Sequence, residues 1–212
     1  MPDDAQQSTW QDLKAAPNAA RPKAFACAET RDWPGYFKAT AGREPRETLI
    51  QALDRFDATT KLDANAPFAI DLGCGEGRDT AELLRRGWRV LAIDGHPMGL
   101  DLLAARDDIP GRAKLQTRLA DFESIMPNTL PECDLLNASF SLPFCPPTSF
   151  PILWTELKRA IKPGGRFAGQ LFGDRDTWAS FPDRSHHAHD AALALLEGLD
   201  IERFDEDDRE AI

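Results

Sequence analysis

A glycine-rich segment flanked by an acid is the part of the chain best suited to chemistry. It reads DLGCGEG at 71–77 and directly follows a short apolar run. Glycines at a strand-to-helix turn let the backbone bend tightly and approach a ligand, while free helix N–H groups face the crevice at the strand ends. The dinucleotide fingerprint G-x-G-x-x-G needs a third glycine where Arg78 or Thr80 stands. A nicotinamide-dependent oxidoreductase is therefore disfavoured.

Alternating strands and helices must position this segment. Short apolar runs predict strands at 68–72, 89–93, 114–119, 133–139, 166–171 and 200–204. Helical spacing of apolar residues predicts helices at 46–57, 76–86, 97–106, 153–161 and 188–196. This alternation is typical of βαβ units, so we expect an α/β fold with a doubly wound, mostly parallel sheet and helices on both faces.

Composition along the chain predicts three parts. Residues 1–28 are rich in Ala, Gln and Pro and predict a weakly ordered N-terminal arm. We expect residues 29–66 to form a helical cap that begins with an aromatic cluster. We expect residues 67–212 to form the α/β domain.

Charge and cysteine content narrow the class of protein. The 212 residues contain 25 Lys and Arg against 35 Asp and Glu, for a net charge of −10. This balance argues against capture of a phosphate backbone, and no run is long enough to span a bilayer. The acidic start has no signal-peptide character, so we expect a cytoplasmic protein. The four cysteines form no C-x-x-C pair, so we expect reduced structural thiols and no metal site.

The D-x-G-x-G-x-G pattern resembles the first motif of class I S-adenosylmethionine-dependent methyltransferases. That family places an acid at the end of the second strand, where it binds both ribose hydroxyls, and Asp94 stands at the matching position. A further acid after the third strand meets the adenine amine, and Asp121-Phe122 matches it. NASF at 137–140 would follow the fourth strand, and PGG at 163–165 resembles the turn before the fifth.

The resemblance covers residues 68–204 and implies S-adenosylmethionine as the cofactor. The cofactor contacts that it implies are Asp71, Gly73, Cys74, Gly75, Gly77, Asp94, Gly95, Asp121, Phe122, Asn137, Trp33 and Tyr36.

Other readings of these residues stay open. Asp71 could instead accept hydrogen bonds only from backbone N–H groups of the glycine loop. Asp94 and Asp121 could instead cap the turns that follow them. The Trp33 and Tyr36 pair is explained equally by core packing or by a lid.

Three segments are similar to small bacterial methyltransferases of the tellurite-resistance type: the stretch from Trp33 to Arg46, SFSLPF at 139–144 and QLFGDRDTW at 170–178. That resemblance implies a small, soft nucleophile such as a thiol or a chalcogen oxyanion as methyl acceptor. We expect Arg175 and His186 on the acceptor side, with Arg43 and Arg46 as further cationic groups. The alternative to a role at the acceptor site is that His186, His187 and His189 lie at the exposed start of a helix.

Nucleic acid is disfavoured as the acceptor, because the Pro-Pro-aromatic box of amino-methylating DNA enzymes is missing after Asn137. We expect no membrane partner either.

One departure from the family affects the whole prediction. The family fold closes with a seventh, antiparallel strand, but residues 205–212 offer no alternating apolar run. Absence of this strand would leave an open edge beside the fifth strand, which invites association, so a monomer and a homodimer both stay open. There are two alternatives to an active enzyme. One is a protein that binds the cofactor without turnover or has a regulatory role, and the other is a truncated enzyme.

Overall fold

The computed structural model describes residues 10–16, 23–59 and 66–208. The helices are α1 (Trp10–Ala15), α2 (Ala24–Glu29), α3 (Trp33–Thr40), α4 (Glu47–Thr59), α5 (Arg78–Arg85), α6 (Pro97–Ala105), α7 (Phe150–Ala160) and α8 (His189–Leu195). The strands are β1 (Phe68–Leu72), β2 (Arg89–Asp94), β3 (Leu115–Leu119), β4 (Cys133–Ala138), β5 (Ile161–Gly169), β6 (Phe172–Gly173) and β7 (His186–His187).

Strands β1 to β5 form one parallel sheet in the order β3-β2-β1-β4-β5. The chain moves outward from β1 to β3 and then returns to place β4 on the other side of β1. Open α/β sheets bind ligands outside the carboxyl ends of the strands at such a reversal of strand order. The predicted doubly wound, mostly parallel sheet is confirmed.

Apolar side chains on the two faces of the sheet form two cores. Ile70 of β1 packs with Leu153 of α7 on one face. Its neighbour Ala69 points to the other face, where Leu49 of α4 and Leu83 of α5 complete the core. Because consecutive strand residues point to opposite faces, the near-continuous apolar β1 serves both cores.

Helix α1 and most of α2 lie within the segment for which composition predicts a weakly ordered arm. Trp10 in α1 is 1% exposed, and the Arg106 guanidinium lies 4.4 Å from its ring. The buried indole packs against α3 and α6 and stabilises α1, a helix whose sequence has little periodicity. Residues 1–9 and 17–22 lie outside the described residues, and the division into three parts stays a prediction.

The predicted sixth strand at 200–204 is wrong. Residues 200–208 are irregular and exposed, with Ile201 at 51% and Phe204 at 38% exposure. Two half-exposed apolar residues bury too little surface to hold a strand against the sheet. Side chains anchor the segment instead, and Glu202 pairs with Arg166 at 3.0 Å.

The outer edge of β5 is the place where the sequence predicts no further strand. Within residues 66–208 no strand pairs with the outer edge of β5. Strands β6 and β7 form a separate two-stranded ladder instead.

Several element boundaries differ from the prediction, among them the starts of α5 and β5. Helix α5 begins at Arg78 rather than 76, because Gly77 caps it with φ +80°. Strand β5 begins at Ile161 and includes the predicted turn, with a register shift opposite Cys133 and Leu135.

The four cysteines are free and buried. No helix among the described residues is both long and apolar enough to cross a membrane.

Candidate active site

A cleft of about 2050 Å³ opens at the carboxyl ends of the parallel strands. Its floor contains Leu72, Gly73 and Gly75 after β1, Asp94 and Gly95 at the end of β2, and Asp121 and Phe122 after β3. The cap helix α3 and residues 198–208 also line it. Topology thus gathers into one cleft three segments that lie far apart in the sequence.

The glycine loop is held against β2 by its backbone. Gly73 and Cys74 both donate their N–H groups to the carbonyl oxygen of Ile93, at 2.8 and 3.0 Å. Gly73 has φ +74°, and a Cβ there would stand 2.3 Å from the Cβ of Ser141. Ser141 also donates its hydroxyl to the carbonyl oxygen of Leu72 at 2.7 Å. Glycine is therefore required at position 73 for both its backbone angle and this close approach.

Asp94 connects the glycine loop to the end of β2. One carboxylate oxygen accepts from Gly75 N at 2.7 Å, and the other accepts from His96 N at 2.8 Å. Burial raises the pKa of this carboxyl group. Each oxygen retains a further lone pair, so the carboxylate can still accept hydroxyl donors from a ligand in the cleft.

Asp121 both caps a turn and lines the cleft. Its Oδ1 accepts from Ser124 N at 2.9 Å and begins the 3₁₀ turn Phe122–Ser124. The capping alternative is thus realised. The carboxylate remains exposed, so capping does not exclude a ligand contact.

Asp71 and Asn137 lie beneath the cleft and do not line it. The Asn137 side-chain amide donates to Asp71 at 2.9 Å and to Asp79 at 3.0 Å, and Thr80 donates its hydroxyl to Asp71 at 2.5 Å. Burial first, and then the neighbouring Asp79, raises the pKa of Asp71 to about 7. The structure gives these side chains a supporting position under the loop rather than the direct contact expected from sequence.

Cys74 and Gly77 also stay outside the cleft lining. The Cys74 thiol is buried, and this burial raises its pKa well above the ordinary value. Gly77 lies against Leu103, which a Cβ would approach to 2.2 Å. Both residues shape the turn from β1 to α5 and do not line the cleft.

Trp33 and Tyr36 of α3 line the cleft and are half-buried. Trp33 packs edge-on against Phe144 at 4.9 Å. The Tyr36 hydroxyl accepts from Arg46 Nη2 at 3.2 Å. The packing and lid alternatives are therefore not exclusive, because the same rings pack together and form a wall of the cleft.

Arg46 and Arg78 place two positive charges in this wall. The Arg46 guanidinium lies 4.3 Å from the ring of Phe140. Burial and the neighbouring Arg46 lower the pKa of Arg78, and its Nη1 is buried with no hydrogen-bond partner in the described chain. Two close guanidinium groups favour an anionic ligand between them. Sequence analysis missed Arg78, although its position directly after the glycine loop was a usable signal.

Arg175 lines the cleft and His186 does not. Arg175 is exposed and pairs with Glu206 at 2.6 Å, so residues of the acidic C-terminal segment already hold it. The His186 side chain is 8% exposed and faces a second cavity. The alternative of an exposed helix start is wrong for His186, because β7 pairs it with Phe172.

The residues at the carboxyl edge fit an adenosyl cofactor. A close-approaching glycine loop, an acid at the end of β2 and an acid after β3 line one cleft. Across the described ranges, no group of three or more His, Cys, Asp or Glu side chains is placed to hold a metal ion.

Comparison with known proteins agrees with this geometry. A family model described as a methyltransferase domain matches residues 69–165. An uncharacterised methyltransferase from Synechocystis sp. is 31% identical over 117 residues, which are 53% of this chain and 50% of that protein. The chain thus spans about half the length of this curated relative.

Two solved structures share the fold. TehB from Haemophilus influenzae aligns with TM-score 0.61 and 18% identity over 82% of this chain and 58% of that chain. A TehB-like SAM-dependent methyltransferase from Corynebacterium glutamicum aligns with TM-score 0.53 and 19% identity over 83% of each chain. At these identities the structures support the fold. The chain is thus similar in sequence to methyltransferases over residues 69–165 and similar in fold to these solved structures.

Proposed function

We propose that the chain transfers a methyl group from S-adenosylmethionine to a small-molecule nucleophile. The observation that carries this proposal is the Asp94 carboxylate, which the Gly75 and His96 N–H groups orient at the floor of the cleft. S-adenosylmethionine supplies an activated methyl group, so the protein has to align the acceptor and exclude water.

The residues on the cleft floor divide the binding task. Asp94 accepts the ribose hydroxyls, and Asp121 with Phe122 surrounds the adenine. Gly73 and Gly75 let the backbone approach the ligand without side-chain contact. The buried group of Asp71, Asn137 and Thr80 keeps the loop in place from below.

Two arginines, Arg46 and Arg78, favour an anionic acceptor, whereas Arg175 is paired with acidic residues. Arg46 and Arg78 lie in the wall formed with α3, and Arg175 lies near residues 206–208. A thiolate or a chalcogen oxyanion would pair with Arg46 and Arg78 and would need no general base. The resemblance to tellurite-resistance-type enzymes supports the same acceptor class. Trp33 and Tyr36 restrict access from the α3 side and favour a small acceptor over a macromolecule.

Ligand titration tests the cofactor assignment. Purified chain is titrated calorimetrically with S-adenosylmethionine, S-adenosylhomocysteine and NADH, while circular dichroism follows the fold. We expect saturable binding of the two adenosyl ligands and no binding of NADH. A folded chain that binds neither adenosyl ligand would refute the proposal.

Turnover is then tested with thiols and chalcogen oxyanions, by following formation of S-adenosylhomocysteine. Formation that depends on the acceptor supports the enzyme. Binding without turnover over the whole panel would favour the non-catalytic alternative.

A further inference from the structure

Phe140, two residues beyond the end of β4, has a backbone conformation that phenylalanine rarely adopts. Its φ is +53°, in the left-handed region that costs free energy for every residue type except glycine. The residue lines the cleft and is 39% exposed, so packing in a closed core does not explain the strain. Strained residues that persist in a cleft are frequently part of its function.

Hydrogen bonds on both sides hold Phe140 in this conformation. Its own N–H donates to Oε1 of Gln170, which directly follows β5, at 2.8 Å. The Ser139 hydroxyl donates to the Asn137 side-chain oxygen at 3.0 Å. The Ser141 hydroxyl donates to a carbonyl oxygen at the end of β1 at 2.7 Å. These bonds reach the ends of three neighbouring strands, so the sheet itself fixes the strained turn.

Gln170 also ties this turn to the cap helix α4. Its Nε2 donates to the Thr48 hydroxyl at 2.8 Å, and both side chains line the cleft. The amide thus uses its oxygen for Phe140 and its nitrogen for α4. The turn therefore keeps its place relative to Arg46, which directly precedes α4.

The ring of Phe140 supports the guanidinium of Arg46. The guanidinium carbon lies 4.3 Å from the ring centroid, and Phe172 packs edge-on against the same ring at 6.4 Å. Arg46 Nη2 also donates to the Tyr36 hydroxyl at 3.2 Å. Two contacts of this kind hold the guanidinium in a defined position, so a ligand that binds it costs less side-chain entropy.

The charge of Arg46 remains available to a ligand. In the part of the chain that the structure describes, no carboxylate lies within ion-pair distance of its guanidinium. Unlike Nη1 of Arg78, none of its nitrogens is buried without a partner, so those that Tyr36 does not hold are open to the cleft. Asp79 accepts from the Arg46 backbone N–H at 2.9 Å, but it is buried and does not line the cleft. An anion in the cleft can therefore pair with Arg46.

We propose that Phe140 is a positioning residue for an anionic methyl acceptor, because its ring holds the Arg46 guanidinium at the cleft. The acceptor pairs with the guanidinium, and the ring fixes where that pairing takes place. The strain at Phe140 persists because a relaxed backbone would turn the ring away from Arg46. This inference rests on the proposed methyl transfer and adds the residue through which the site selects the charge of the acceptor.

Acceptor binding is measured by calorimetry on the full chain saturated with S-adenosylhomocysteine. Mercaptoacetate is the anionic probe, and 2-mercaptoethanol is its neutral analogue at pH 7. We expect saturable binding of mercaptoacetate, at least about tenfold tighter than that of 2-mercaptoethanol, because only the anion makes a charged hydrogen bond. A chain that does not bind S-adenosylhomocysteine would refute the proposed function and this inference with it. A chain that binds S-adenosylhomocysteine but shows no preference for mercaptoacetate would overturn this inference alone.

Variants of Phe140 test the role of the ring. Phe140→Leu keeps much of the volume but removes the aromatic face, so it should weaken mercaptoacetate binding about 3- to 30-fold. Its binding of 2-mercaptoethanol and S-adenosylhomocysteine should not change. Phe140→Tyr keeps the aromatic face and should bind mercaptoacetate as the unmodified chain does. Equal mercaptoacetate affinity in Phe140→Leu and the unmodified chain would contradict the proposal.

Phe68→Leu is the matched control for these variants. The Arg89 guanidinium lies 5.3 Å from the Phe68 ring, so the control also removes an arginine–aromatic contact. Phe68 begins β1, at the end of the sheet opposite the cleft, and neither residue lines the cleft. Phe68→Leu should therefore bind both probes as the unmodified chain does. A loss of mercaptoacetate binding equal to that in Phe140→Leu would overturn the proposal.

A double variant tests whether the ring acts through Arg46. Arg46→Met alone should abolish the preference for mercaptoacetate over 2-mercaptoethanol. Adding Phe140→Leu should cause no further loss, because the ring then has no guanidinium to hold. A further loss as large as that of Phe140→Leu alone would show that the ring acts independently and would overturn the proposal.

Thermal unfolding tests the strained conformation itself. Phe140→Gly should melt at least about 2 °C above Phe140→Ala, because both lack the ring and only glycine adopts φ +53° without strain. At Phe68, which lies in a strand, the alanine variant should be the more stable of the two. A Phe140→Gly chain that melts no higher than Phe140→Ala would show that the strained turn is not formed, and would overturn the proposal.

Discussion

Asn137 at the end of β4 donates a hydrogen bond of 2.9 Å to Asp71 at the end of β1. The same amide nitrogen donates to Asp79 of α5 at 3.0 Å, so one side chain bridges two buried carboxyl groups. Since β1 and β4 are the strands between which the sheet order reverses, this bridge lies directly under the cleft. It ties the turn after β1 to the neighbouring strand.

Asp71→Asn should remove part of the pH dependence of stability. Burial, and then Asp79, raises the pKa of Asp71 from 3.8 to about 7 in the folded chain. The folded state therefore holds a proton that the unfolded state releases, and the free energy of unfolding falls as the pH rises from about 4 to 7. The loss is about 1.4 kcal/mol for each unit between the two pKa values. Urea unfolding between pH 4.5 and 7.5 measures this slope of the free energy of unfolding against pH.

The exposed Asp101→Asn on α6 is the control for this measurement and should keep the full slope. Burial also raises the pKa of Asp94 and Glu76, so a smaller slope of the same sign should persist in Asp71→Asn. An unchanged slope in Asp71→Asn would show that its carboxyl group does not titrate in this range.

Glu156→Gln should change the acid limb of stability in the opposite sense. Burial acts to raise its pKa, but bonds from Arg159 and from Leu130 and Asn128 N–H groups lower it to about 2. Its stabilising contribution is present above pH 4.5 and is lost as the pH falls from about 4.5 to 2. We expect Glu156→Gln to be destabilised at pH 7 by about 2 kcal/mol and to lose less stability on acidification.

Urea unfolding at pH 7, 4 and 3 checks this expectation. The exposed Glu197→Gln serves as the control, because the Glu197 carboxylate is not among the groups that shift the pKa of Glu156 or Arg159. A variant that loses as much stability between pH 7 and 3 as the unmodified chain would contradict the role of Glu156.

Asp94→Asn should weaken S-adenosylmethionine binding at least about tenfold, because one carboxylate oxygen that can accept a ribose hydroxyl becomes an amide donor. The fold should persist, since the remaining oxygen can keep one of the bonds from Gly75 and His96. Calorimetric titration beside a circular dichroism spectrum measures both effects. Asp101→Asn should bind as the unmodified chain does. Equal affinity in Asp94→Asn would remove the main cofactor assignment.

Gly73→Ala and Gly87→Ala should separate backbone strain from close approach in the loop. Both glycines have positive φ, +74° and +86°. Each alanine should therefore destabilise the chain by about 1–2 kcal/mol through its backbone. At position 73 the new Cβ would also meet Ser141 Cβ at 2.3 Å, whereas at 87 the nearest atom is Lys114 Nζ at 3.9 Å.

We therefore expect a larger loss of stability and weaker S-adenosylmethionine binding in Gly73→Ala only. Thermal unfolding and calorimetric titration of the two variants provide the comparison. Equal stability losses, with binding unchanged in both, would show that the loop can move away from Ser141.

Local patterns were enough to predict the parallel sheet and the floor of the cleft. Apolar runs at 68–72, 89–93 and 133–139 each became a strand, and DLGCGEG became the turn after β1. The strands and the turn depend on residues that are close in sequence, because strand burial and glycine backbone angles follow from residue type and spacing. Asp94 and Asp121 were found in the same way, by their places after strands.

Only the tertiary structure decided which side chains face a ligand. Asp71 and Asn137 looked like site residues in the sequence, but hydrogen bonds from Asn137 and Thr80 hold Asp71 below the cleft floor. The predicted strand at 200–204 failed because long-range pairs such as Arg166 with Glu202 anchor that segment. The sequence by itself determined the strands and the loop, whose physics is local. Burial, the raised pKa of Asp71 and the second cavity depend on contacts between residues far apart in the chain, and only folding decides those contacts.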